Sequence, residues 1–247
     1  MKKIYYSIVL LSSVAAKCPS NHTSNTVLDS NKNNESVLKH TEPKKKPTNV
    51  VVENTDVGDT LSKKEASRTT LPQNAKSEQN DIGFTKLHHA AQKGHLSEVI
   101  KLLKATDIQV NARGKKGCTP LHIAAVCGHT EVVTQLVKVS GIEVNAKDEN
   151  GSTPLHYALG HNFVKVIKVL LKAKGIDINT KDNDGRTPLI TAVGHGNQVE
   201  VIKALLETKG IDINAKNNDG NTALDVAKKD GYEACVNVLK EALKRQK

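Results

Sequence analysis

From residue 83 onward the apolar and polar positions follow one long period. Gly83, Gly117, Gly151, Gly185 and Gly220 fall 34, 34, 34 and 35 residues apart. Each opens a related phrase: "TKLH" at 85–88, "TPLH" at 119–122 and again at 153–156, "TPLI" at 187–190, "TALD" at 222–225. In the second copy Leu121, Ala124 and Ala125 share one face of a short helix. Val132, Val133, Leu136 and Val137 follow at helical spacing and predict a second. Thr119 is placed to cap the first helix, and Pro120 to occupy its first turn, where a missing N–H is harmless. Gly128 suits the left-handed residue that ends it, and Asn162 takes that place in the third copy. Gly141 closes the second helix. The tails "VNARGKKG", "VNAKDENG", "INTKDNDG" and "INAKNNDG" predict an extended pair and a tight Asp/Asn/Gly turn.

One such unit cannot bury its own apolar face, whereas stacked units can. The expected fold is therefore an all-α solenoid of five helix-turn-helix units with hairpin loops. The units run from about 83–116, 117–150, 151–184, 185–219 and 220–247 within a domain at 82–247. Leu87, Leu121, Leu155, Leu189 and Leu224 form a predicted column through its core. Copies one and four read as carrying one extra residue between their helices ("GHLSEV", "GNQVEV" against "GHTEV"). The end copies depart from the pattern, as units with one wet side should. Lys86 and Ala223 replace Pro, and Asp225 replaces His.

The first third is different. Lys2 and Lys3 precede an apolar run from Ile4 to Ala16, with Val14 and Ala16 small at the cleavage positions. This predicts a signal peptide of bacterial type at 1–16, cut between Ala16 and Lys17. Export across the inner membrane follows, to the periplasm or beyond it, with delivery into a host cell as an extension. The alternative is a lipid anchor on Cys18, against which Lys17 stands, because lipidation wants a small residue before the cysteine. Residues 17–81 are rich in Asn, Ser, Thr and Lys without apolar period, and predict a disordered polar linker.

Composition narrows the core. Aromatics make up 2% of the chain and Trp is absent, so Ile, Leu, Val and Ala must fill it. Net charge is +10, which permits nucleic-acid binding. The basic column Arg113, Lys147, Lys181, Lys216 is interleaved with Asp148, Asp182 and Asp219, however, and lacks aromatic or base-reading partners. Nucleic acid is therefore not the expected ligand.

The phrase "G-x-T-P-L-H-x-A-A-x-x-G-H" with "V-N-A-K-D-x-x-G" resembles the ankyrin repeat, and the resemblance runs from residue 83 to the C-terminus. It implies a non-enzymatic scaffold for protein–protein interaction, acting as a monomer, with no small-molecule substrate and no cofactor. The partner is unidentified, a host protein among the candidates. The resemblance also implies that His88, His122 and His156 hydrogen-bond neighbouring loop backbone. Thr119, Pro120, Leu121, His122, Gly128, Thr153, Pro154, Leu155 and His156 are then framework. Partner contacts are expected at the hairpin tips and the inner face of the first helices, where the five copies differ from one another. In the second copy these are Lys115, Lys116, Cys118, Val126 and Cys127. In the third they are Glu149, Asn150, Ser152, Gly160 and His161, with Tyr157 as an aromatic anchor. In the fourth they are Asn183, Asp184, Arg186, Gly194 and His195, and in the fifth Asn218, Asp219 and Asn221.

One stretch invites chemistry. Cys118, His122, Cys127 and His129 lie within "GCTPLHIAAVCGHTEVV" and make up a familiar zinc set. Both histidines sit at positions that recur (His88 and His156; His95), so the framework accounts for them, and no metal is expected. The two cysteines flank one helix, roughly 13 Å apart at its rise per residue. A disulfide needs Cα atoms within about 7 Å. Cys235 stands where other copies have Val132 and Val166, and reads as a small core residue. No phosphate loop, metalloprotease helix or nucleophile with an oriented base occurs, so no catalytic residues are expected.

Overall fold

The computed structural model describes residues 83–245 apart from Asn197. The signal peptide, its Ala16–Lys17 cut, Cys18 and the whole polar segment 17–81 lie outside the described residues.

Five helix pairs follow one another. The first helices are α1 (Lys86–Lys93), α3 (Pro120–Val126), α5 (Pro154–Gly160), α7 (Pro188–Gly194) and α9 (Ala223–Lys229). The second helices are α2 (Leu96–Leu102), α4 (Thr130–Leu136), α6 (Val164–Leu171), α8 (Val199–Leu206) and α10 (Glu233–Arg245). A single 3₁₀ turn occupies Lys115–Gly117. No strand occurs among the described residues. No helix among them is long and apolar enough to cross a membrane.

Each first helix starts on threonine. Thr85, Thr119, Thr153, Thr187 and Thr222 all accept a backbone N–H from three residues on. Each first helix then packs on the first helix of the next unit, and the second helices form a parallel layer behind. The core lies between the layers. Leu87, Leu121, Leu155 and Leu189 are buried in it, whereas Leu224 is half-buried, with no further unit among the described residues to cover it. Cys235 is fully buried there, as a small hydrophobe.

Gly128 (φ 73°) and Asn162 (φ 55°) take the left-handed torsion between the two helices. The extra residue of copy four is real: α7 is followed by His195, Gly196, a further residue and Gln198 before α8 begins at Val199. That of copy one is not. Gly94 and buried Val99 stand as far apart as Gly128 and buried Val133, and His95 and His129 precede their helices with nearly the same torsions. The position the two copies share is the buried valine, not the Glu-Val pair.

The loops are hydrogen-bonded to one another. At the tips the Glu149, Asn183 and Asn218 amides donate to the Lys116, Asn150 and Asp184 carbonyls of the preceding unit. At the base Asn111, Asn145 and Asn179 each donate to the Gly141, Gly175 and Gly210 carbonyls of the following unit. The basic column does similar work: Arg113, Lys147 and Lys181 donate to the main-chain carbonyls of Lys147, Lys181 and Lys216.

Candidate functional site

The repeated histidines show how the loops are held. The Thr119 amide donates to Nδ1 of His122 at 3.1 Å, so that nitrogen is an acceptor. Nε2 then carries the proton and faces the Ser152 carbonyl at 3.1 Å. His88 and His156 do the same toward the Cys118 and Arg186 carbonyls. Burial holds all three below the usual histidine range, His88 and His122 at about 4. In the last unit Asp225 closes the same box on Thr222, and these hydrogen bonds hold its carboxyl below the usual range.

A buried carboxylate organises the tips, and the sequence reading missed it. Oδ1 of Asp148 accepts the amides of Asn150 and Ser152. Oδ1 of Asp182 accepts those of Asp184 and Arg186, and Asn217 does the same for Asp219 and Asn221. In the first unit glycine, Gly114, occupies this place, and a Cβ there would lie 2.5 Å from the Phe84 ring. The signal was available: three Asp or Asn residues and one Gly stand at one register position three before the tip glycine.

The second oxygen of each carboxylate is answered differently. Oδ2 of Asp148 accepts the Tyr157 hydroxyl at 2.6 Å. Oδ2 of Asp182 takes Arg186 at 2.7 Å, and the same guanidinium reaches Asp184 at 3.1 Å. Three of the expected contact residues are therefore corrected. Cys118, Val126 and Tyr157 are 1%, 3% and 6% exposed and offer no surface. With Phe84 and Ile123 they form a second small apolar cluster, against which Cys127 packs half-buried. Their slots vary between copies because the packing beneath each tip varies, not because they face water. Burial pushes the Cys118 thiol up to about 12 and the Tyr157 phenol well above its usual range.

The other expected contact residues fall into two groups. At the tips, Lys115, Glu149, Asn183, Asp184, Asn218 and Asp219 are exposed, and Lys116 and Asn150 half-buried. Among these Asn183 and Asn218 donate side-chain bonds to the Glu149 and Asn183 carbonyls, so they also tie tips together. On the inner helix face Ser152, Gly160, His161, Arg186, Gly194, His195 and Asn221 are half-buried. Burial lowers His161 and His195 as well.

The possible zinc set does not converge. Both ring nitrogens of His122 are engaged, Nε2 of His129 lies 3.0 Å from the Gln92 carbonyl, and Cys118 is a free but buried thiol. Among the described residues no three His, Cys, Asp or Glu are grouped to hold a metal ion.

A family model described as ankyrin repeats (3 copies) matches residues 62–148, 87–182, 135–217 and 176–246. Its first match begins inside the segment whose composition reads as linker. No curated protein matches the chain.

Proposed function

The chain belongs to the ankyrin-repeat family, and from that membership we propose a non-enzymatic scaffold that binds a protein partner along its tips and the inner face of its first helices. Ankyrin repeats are in general protein–protein interaction modules. One observation supports this face in particular. The framework uses its histidines, base asparagines and basic column to tie unit to unit, while the exposed side chains of Lys115 and Glu149 differ at one tip slot, and Asp219 stands exposed where the first two tips have Lys116 and Asn150. Residues free of framework duty are the ones that can be read by a partner.

The test is capture by the full-length protein. A Lys115→Glu, Glu149→Lys, Asp219→Lys variant should lose a captured protein while its unfolding free energy moves by less than about 0.5 kcal/mol, as for surface changes generally. Capture that survives all three changes counts against these residues.

The proposal includes export through the signal peptide at 1–16, which would present the scaffold to proteins outside the cytoplasm, a host's included. N-terminal sequencing of the mature protein should begin at Lys17. A blocked, lipid-bearing start at Cys18 would replace export of a free protein by surface anchoring.

A further inference from the structure

Between the third and fourth units a notch contains polar groups that the scaffold leaves unanswered. Tyr157, Gly160, His161, Arg186, Thr191 and His195 line it. Thr191 is 5% exposed, and its Oγ1 is buried without a hydrogen-bond partner. A helical threonine commonly turns its hydroxyl onto the carbonyl four residues back. Thr134 does so, on Thr130. Thr191 does not, and a buried hydroxyl left unanswered costs about 1–3 kcal/mol.

Charge selects the occupant. Arg186 is already paired with Asp182 and Asp184, so one guanidinium stands against two carboxylates. An incoming carboxylate would meet that excess of negative charge. An incoming ammonium would find both carboxylates already engaged, Asp182 by Arg186 and two backbone amides and Asp184 by the same guanidinium, and would sit beside that guanidinium. His156, at the back, has both nitrogens in use. Burial keeps His161 and His195 neutral near pH 7, so each ring offers one donor and one acceptor. His161 is further held by stacking on Phe163 at 5.7 Å. A small neutral head that both donates and accepts fits this set.

We propose that the notch over Thr191 is a subsite for a neutral primary amide, the side chain of an Asn or Gln on the protein partner. This rests on the scaffold reading and names what one part of the binding face recognises. The test needs no partner. The full-length protein, ¹⁵N-labelled, is titrated with propionamide, and separately with propionate and propylammonium. Propionamide should give saturable shifts confined to the resonances of Thr191, Arg186, His161 and His195. Both ions should bind at least about fivefold more weakly, a difference of one hydrogen bond. Thr191→Val should lose the response with the rest of the spectrum unchanged. Absence of saturation, which would leave the notch to ordered water, overturns the proposal. So does an equal response to propionate, or an unaltered one in Thr191→Val. Failed capture in the partner experiment with an intact amide response would sink the scaffold reading alone.

Discussion

His122 hydrogen-bonds within its own unit and to the next: Nδ1 accepts the Thr119 amide, and Nε2 donates to the Ser152 carbonyl thirty residues on. The geometry needs a neutral ring, since protonated Nδ1 could not accept that amide.

A pH dependence follows. Folding lowers His88 and His122 from 6.5 to about 4, and lowers His156 as well. Their full contribution is present above 6.5. Between 6.5 and about 4 the unfolded chain holds more protons, so stability falls as pH falls through that window. Urea unfolding from neutral pH downward should show the loss, by about 1.4 kcal/mol per pH unit for each histidine at most. His88→Gln with His122→Gln should flatten the slope. An equally steep slope in that variant would assign the effect elsewhere.

Tyr157 invites substitution as a partner anchor, but the structure predicts a stability effect instead. Tyr157→Phe removes the hydroxyl from Oδ2 of Asp148 and should cost about 1–3 kcal/mol. The urea midpoint measures this directly. A Phe variant as stable as the parent would show that the Asp148 bond adds nothing.

Gly128 and Asn162 occupy equivalent places with opposite prospects. A Cβ on Gly128 would combine a positive φ with an approach of 2.9 Å to the Phe163 ring. Gly128→Ala should therefore destabilise by at least about 1 kcal/mol. Asn162→Gly, which relieves a φ of 55°, should be neutral or gain up to about 1 kcal/mol. Thermal unfolding of the two variants reads both signs, and a Gly128→Ala protein that melts unchanged would refute the steric account.

Cys118 should be inert while the protein is folded. It is 1% exposed and its thiol is pushed up to about 12, so almost no thiolate exists at neutral pH. Peptide mapping after brief maleimide treatment should find Cys118 unmodified in the native protein and modified in urea. Labelling as fast in the native state would place it on the surface after all.

The sequence made the framework legible because framework residues recur. Thr119, Pro120, Gly128 and His122 each do the same job in several units, and a job repeated at one period can be read without coordinates. The binding face was legible only in part. Variation between copies marks positions free of the shared framework, but two physical situations produce it. Lys115 and Glu149 differ at one slot because water faces both. Cys118 and Tyr157 vary because each covers a different neighbour: Tyr157 closes on Asp148 where the next unit uses Arg186 on Asp182. Periodicity cannot separate the two, since the distinguishing contacts join adjacent units. Thr191 escaped for the same reason: its unanswered hydroxyl becomes apparent only once the groups around it are in place.

The bonds that the base asparagines, the basic column and the repeated histidines donate point the same way along the chain, each donor waiting for a carbonyl about one unit later, whereas the tip amides donate the other way. A chain leaving the ribosome presents those donors before it presents their acceptors. Every newly finished unit satisfies its predecessor and exposes a fresh set of unmet donors in turn. For these donors the array has a direction in time as well as in space, and they are met in the order of synthesis.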